Sequence, residues 1–487
     1  MTPTTGLAPS RDTGARAPAP AHDRPATPPA GPRAARTRLL LEGRIVPTLL
    51  RLAAPNVVVN VVLIAVTASV DAHFVGRMGP SALAGLSLVF PLLMLMQQIA
   101  NATMGGAIAS AVARAMGAGR RDDAAALVVH GLVIAGAMAA LFTAGALVAG
   151  PSVYAVMGGE GAVLAAAVEY SNAIFAGAVA FWALGALTSV VRGVGQPGVL
   201  AAVYTAAEAL HVLLVPALAF GVGPVPPMGI TGAAVATVTS FLCSSAALAW
   251  YVASGRTPLA VSRRAVRLER RLFAEILAVG APMSLQPVLN NVALAALTAF
   301  VATLGPTALA AFGAGIRLEY VLYPLAFGLG AGVLALVGTN VGAGQTVRAT
   351  RIAWTAAALG AGLTATIGAL ALAWPRAWVT LFSASEAVQV AGAAYLGVAS
   401  LGYVFVGLGL PLSSAFQAAA RPLWPLLAVA GRVFVVAAGG WVAVHAAGAG
   451  LVGLAAVSAL GGVAYGATLA LAFSGGAWRS AIAGRAR

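Results

Sequence analysis

Between Leu49 and Phe473, apolar runs long enough to cross a bilayer follow one another about a dozen times, separated only by short polar breaks. No other feature limits the fold as much. A run of about 20 apolar residues spans the hydrocarbon core as a helix, because backbone groups there must be bonded within the segment. Read between the polar breaks, the runs predict twelve helices near residues 49–73, 82–110, 124–149, 162–190, 198–221, 229–253, 272–303, 307–337, 351–374, 388–414, 422–445 and 450–473. The expected fold class is an all-α membrane protein. With 60% hydrophobic and 8% charged residues, against about 25% charged in a soluble domain, no length remains for a sizeable water-soluble domain.

All 28 basic residues are arginine. Without lysine there is neither a Walker A loop nor Schiff-base chemistry, which excludes an ATP-driven pump of that type. The single cysteine, Cys243, lies in an apolar run, so no intrachain disulfide, CxxC motif or Cys-rich metal site can form; it is expected to be a packing residue. Residues 1–44 are rich in Pro, Ala, Thr and Arg with no apolar core of the signal-peptide kind, and are expected to be a disordered cytoplasmic tail. If that tail is inside, only Arg77 and Arg376 fall outside, Arg317 and Arg432 lie within spans, and the other arginines are on the inner side. That asymmetry predicts both termini in the cytoplasm. The basic segment 254–271 then acts as a cytoplasmic linker between six-helix lobes at 45–253 and 272–474, with a short cytoplasmic tail at 475–487.

The two halves repeat. "MGPSALAG" (78–85) returns as "LGPTALAA" (304–311), and "MGAGRRDDA" (116–124) as "VGAGQTVRA" (341–349). "LAAPNVVVN" (52–60) parallels "VGAPMSLQP" (279–287), and "RGVGQPGVL" (192–200) parallels "QAAARPLWP" (417–425). An even number of helices per half gives both the same orientation, related by an axis along the membrane normal. Carriers built this way hold their substrate between the halves and work by alternating access.

"SVDAHFVGRMGPSALAGLSLVFPL", "GGAIASAVARAMGAGRRDDA" and "GIRLEYVLYPLAFGLGAGVLALVGTNVGAGQ" resemble the multidrug and toxic compound extrusion (MATE) family, above all its bacterial proton-coupled branch, from about Arg44 to Ser474. The resemblance implies two six-helix lobes around a central cavity and export of organic cations and drug-like compounds against H⁺ or Na⁺. It places Asp71 at the coupling carboxylate of the first helix and Pro55 at that helix's bend. Two departures stand out. The Asn and Asp that proton-coupled archaeal-type members carry on helix 5 fall at His211 and Val215, and the acids of sodium-coupled members on helices 7 and 10 fall at Asn290 and near Gly407. The expected coupling ion is therefore H⁺ rather than Na⁺, with no other cofactor.

Intramembrane ionisable groups are functional candidates because inserting one costs about 2.5–3.5 kcal/mol. Asp71 lies toward the outer end of helix 1, and the position 226 residues further on is Leu297, so only the first half carries an acid there. In a partly dry cavity such a group could load a proton on one side and release it on the other. Glu208 and His211, at i,i+3, share a face of helix 5. They are candidates either for a proton relay or for satisfying each other, and Glu208 is expected roughly 10 Å deeper than Asp71, out of direct contact with it. Arg317, Glu319 and Arg432 are expected to form a structural charge network in the second lobe. Asn60, Gln97, Tyr204, Gln286, Asn290 and Tyr323 are candidate cavity residues, although any one of them could instead serve as an interhelical hydrogen bond.

The sequence thus predicts a secondary antiporter, not an enzyme, exporting drug-like or metabolite compounds against protons. Its expected partners are a small-molecule substrate and the bilayer, with no nucleic acid and a monomeric state. The alternatives are a lipid-linked oligosaccharide flippase, for whose pyrophosphate only Arg317 and Arg432 could serve, and a sodium-coupled exporter. A membrane-embedded prenyl-transfer enzyme would need paired carboxylates for Mg²⁺, and no such cluster occurs.

Overall fold

A computed structural model describes residues 32–259 and 267–478, with residues 32–36, 59–66 and 68 described by backbone alone. Twelve long helical segments follow: α1 Ile45–Gly76, α2 Pro80–Gly117, α3 Arg121–Val156, α4 Gly161–Ala176 continued at 47° by Ala178–Gly193, α5 Pro197–Phe220, α6 Gly229–Ala253, α7 Arg270–Ala302, α8 Pro306–Gly342, α9 Thr346–Ala373, α10 Glu386–Ala418, α11 Leu423–Ala446 and α12 Leu451–Ser474. These are the twelve spans read from the sequence, each longer or shorter by a few residues. α1 continues unbroken through Pro55.

The repeated motifs are the helix boundaries. Gly79 and Gly305 take positive φ (121° and 96°) and hand over to a proline in the first turn of α2 and α8, where its missing N–H costs nothing. "GAG" ends both helices identically. Gly119 and Gly344 adopt φ of 73° and 75°, and the next N–H reaches back to Ala115 in one half and Asn340 in the other, the left-handed glycine stop that satisfies the last carbonyls.

The packing does not follow the two halves of the sequence. Leu49, Leu52 and Ala53 from the first half of α1 join the core of α8, α9, α10 and α12. Leu272, Ile276, Val279 and Met283 from the first half of α7 join the core of α2 to α6. The later parts return to their own lobes, with Val75 in the first and Ala293, Leu297 and Val301 in the second. The lobes therefore interlock at the arginine-rich end. There α2 crosses α8 through small residues: a Cβ at Gly117 would overlap the Thr339 carbonyl oxygen, one at Gly342 the Arg114 carbonyl oxygen, and one at Gly338 would lie 2.8 Å from Ala113 Cβ.

Arg114 pins the seam. It is 3% exposed, lies 3.2 Å from Glu275 of α7 and donates to the Ala418 carbonyl of α10 at 3.0 Å. Gln417 donates to the Thr103 carbonyl at 2.9 Å, and the Thr103 and Ser284 hydroxyls are 3.2 Å apart. Together with the contacts of His130 to Glu269, Asp123 to Arg271, Leu40 to Asn340 and Gly43 to Arg348, these bonds lie at or on the arginine-rich side of Ala102 and Thr103. The lobes are thus joined at that end.

Two expectations need correction. Within the segment expected to be disordered, Pro32–Glu42 is a helix; Leu40 is 5% exposed and accepts from Asn340 of α8 at 3.1 Å, because its apolar side chain finds cover at the closed seam. Cys243 is exposed on α6 rather than packed, since a lipid-facing position is as apolar in composition as a buried one. Residues 1–31, 260–266 and 479–487, parts of the expected tails and linker, lie outside the described residues.

Candidate functional site

The intramembrane acids of the first lobe are organised by α1 and α5. Thr67 and Asp71 are one turn apart on α1, as are Glu208 and His211 on α5, so each pair shares a helix face. Asp71 Oδ1 lies 3.1 Å from His211 Nε2, and Thr67 Oγ1 donates to Glu208 at 2.9 Å (Oε1) and 3.1 Å (Oε2). Both rungs advance in the same chain direction, which makes the helices parallel. Asp71, Glu208 and His211 are 8%, 5% and 2% exposed. The Asp71–His211 contact has ion-pair distance without hydrogen-bond alignment: neither ring nitrogen of His211 makes an aligned hydrogen bond among the described residues. Buried polar groups are rarely left so loosely engaged.

This arrangement corrects the sequence expectation for α5. Glu208 and His211 do not pair with each other; each faces its own partner on α1. Asp71 and Glu208 make no direct bond, as expected. One turn below Glu208, the Tyr204 hydroxyl sits 3.1 Å from that of Thr188. Tyr204 is therefore buried inside the lobe and does not line an open cavity.

The second lobe holds a different cluster. Arg432 Nη2 is 3.9 Å from Glu319 Oε2, and Nη1 donates to the Tyr323 hydroxyl at 3.0 Å. Arg317 is not part of it: two residues from Glu319 it points away, and its guanidinium covers the Phe382 ring at 4.8 Å to the centroid. Breaking a buried pair from one side strands the other charge, at a cost of about 3–5 kcal/mol. Arg432→Met should accordingly melt well below the parent, and Arg432→Met with Glu319→Leu should recover most of the loss. Thermal unfolding of the purified protein checks both; equal melting of all three would show that the pair carries no stability.

Of the remaining cavity candidates, Gln97 and Asn290 are partly exposed. Gln286 is buried with its amide on Met283 Sδ at 2.9 Å, a packing contact. The Asn60 side chain lies outside the described residues. Sequence reasoning missed Thr67, although its position one turn before Asp71 was a usable signal. It also missed Arg192, which was counted with the inner arginines but turns its side chain into the interior, 6% exposed.

The family model MatE matches each half of the chain, over residues 57–217 and again over 282–442, the second match beginning 225 residues after the first. The chain is 27% identical over 318 residues to the FAD transporter of Shewanella oneidensis, covering 64% of this chain and 68% of that protein. It is 24% identical over 382 residues to the probable multidrug resistance protein NorM of Thermotoga maritima, covering 78% and 81%. Among solved structures, a MOP superfamily transporter from Pyrococcus furiosus superposes with a TM-score of 0.82 at 23% identity, over 92% of this chain and 98% of that one. An outward-facing multidrug resistance MATE family transporter does so with a TM-score of 0.80 at 23% identity, over 91% and 98%. The structural likeness speaks for the fold; the paired family matches speak for the family.

Proposed function

The chain belongs to the MatE family of membrane transporters, and from that premise we propose that it is a multidrug exporter driven by protons entering through Asp71 and His211. The observation that carries the reading is the 3.1 Å approach of Asp71 to His211, with Glu208 held one turn away by Thr67. A carboxylate facing an imidazole can hold one proton more or fewer at modest cost, and histidine is the side chain best suited to do so near neutral pH. A sodium ion would want a full set of oxygen ligands, whereas Asp71 has a nitrogen at ion-pair distance here.

Protonation would change the net charge of this buried site and so favour one lobe arrangement over the other, which is all a coupling ion can do. In this reading the arginine-rich end faces the cytoplasm of a bacterial inner membrane, with both termini on that side. The seam described above then closes the cytoplasmic end while the site communicates outward. The relatives named for multidrug resistance and for FAD support a drug-like or metabolite cargo. The flippase alternative loses ground: Arg317 lies on Phe382 and Arg432 is engaged by Glu319 and Tyr323, so neither is a free cation for a pyrophosphate.

Everted membrane vesicles test the proposal. An acid interior should drive uptake of a fluorescent organic cation, and collapsing the proton gradient should stop it with or without sodium. Uptake driven by a sodium gradient alone would transfer the coupling role to Na⁺.

A further inference from the structure

We infer that Arg192 is the cargo-binding cation of this transporter, taking a carboxylate or phosphate group of the exported compound between the two lobes; this rests on the export reading above. Arg192 ends the second segment of α4 on the arginine-rich side, yet its guanidinium runs toward the centre of the protein. It lies over the Phe327 ring of α8 at 5.4 Å to the centroid, and Nη1 reaches the Asn101 carbonyl only at 3.5 Å. Asn101 sits in the π-helical turn Ile99–Thr103 of α2, and Phe327 occupies the matching place in the other half, 226 residues on. The guanidinium therefore lies between equivalent positions of the two lobes.

What sets Arg192 apart is its company. It is 94% buried in relative terms, given its 6% exposure, and Nε has no hydrogen-bond partner. No carboxylate among the described residues lies within ion-pair distance of it. A guanidinium offers five N–H donors, and one long bond and one ring face leave most of them unused, an expensive state for a buried charge. Arg114, equally buried on the same side, has both Glu275 and the Ala418 carbonyl.

Its depth fits a receptor. Asn101 and Phe327 are partly exposed, as are Gln97 and Tyr323 one turn above them, whereas the bonds that join the lobes begin at Ala102 and Thr103 below. Arg192 is thus the last cation above the closed seam. Opening the seam from the other side would reach the same group, as alternating access requires. A planar fork matched to two oxygens favours carboxylate and phosphate.

The test uses the full chain in neutral detergent micelles without a proton gradient. Thermal unfolding is followed with increasing inorganic phosphate, and separately acetate, against chloride at equal ionic strength. The parent and Arg192→Lys should show a saturable rise of a few degrees, Arg192→Gln none, and Arg192→Gln without added anion should melt no lower than the parent. Asp71→Asn should respond like the parent, so the coupling reading and this one fail separately. Phosphatidylglycerol added to the same micelles should give no Arg192-dependent shift. The inference is overturned if phosphate and acetate leave the parent unmoved or act equally on Arg192→Gln. It is also overturned if the Arg192-dependent shift needs the lipid, or if Arg192→Gln alone melts well below the parent, which would make Arg192 a structural tie.

Discussion

A leucine at Gly117 or at Gly342 should leave the transporter unable to close its arginine-rich end. At both sites the atom in the way is a backbone carbonyl of the crossing helix, Thr339 in one case and Arg114 in the other, so no side chain can move aside. Relief requires α2 and α8 to separate, and that breaks the bond from Arg114 to the Ala418 carbonyl of α10, which packs with α8. If the overpacking costs the closed arrangement about 3 kcal/mol, its share falls roughly 150-fold, and export should fall with it. A cysteine at Ser110, which is fully buried on the seam side of α2, reports the change in a Cys243→Ala background. Its alkylation should be slow in the parent and fast in Gly117→Leu. Equal rates would show that the crossing is not the closing surface.

Asp71→Asn should strongly reduce gradient-driven export while leaving a folded protein. The amide keeps the size of the carboxylate but cannot exchange a proton, so His211 loses the partner 3.1 Å away that would share its charge. Coupling free energies between sites run about 1–3 kcal/mol, or roughly 5- to 150-fold, and gradient-driven accumulation in vesicles should drop by an amount in that range. Glu208→Gln keeps Thr67 as a partner and should lose less. If Asp71→Asn accumulates cargo as the parent does, the coupling group is elsewhere.

The spans were legible because a bilayer turns apolar length into helix count, and the repeat was legible because the same glycine turns end the same helices in both halves. "GPSALAG" and "GAG" could be read as paired motifs, and the structure gives them a backbone reason at Gly79, Gly119, Gly305 and Gly344. Asp71 could be singled out because its counterpart is Leu297. That His211 rather than Glu208 would meet it could not be read, since this depends on the axial offset between α1 and α5, which helical periodicity does not carry. The exchange of first halves between α1 and α7 was hidden for a similar reason: sequence order defines which helices are connected, not which cores they join. Arg317 and Cys243 were misplaced because a helix apolar on all sides gives no sign of which face meets lipid. Arg192 looked like one more inner-side arginine until the direction of its side chain was visible.

The central claim is that protonation of the Asp71–His211 site selects between lobe arrangements, and it can be measured without knowing the cargo. Arg77 and Leu304 lie at corresponding turns of the two lobes on the open side and are exposed. Spin labels on Arg77→Cys and Leu304→Cys, with the exposed Cys243 replaced by alanine, report the distance between the lobes in the purified protein. The distance distribution should differ between an acid and an alkaline buffer and should stay fixed in Asp71→Asn. An Asp71→Asn protein that shifts with pH as the parent does would contradict the account.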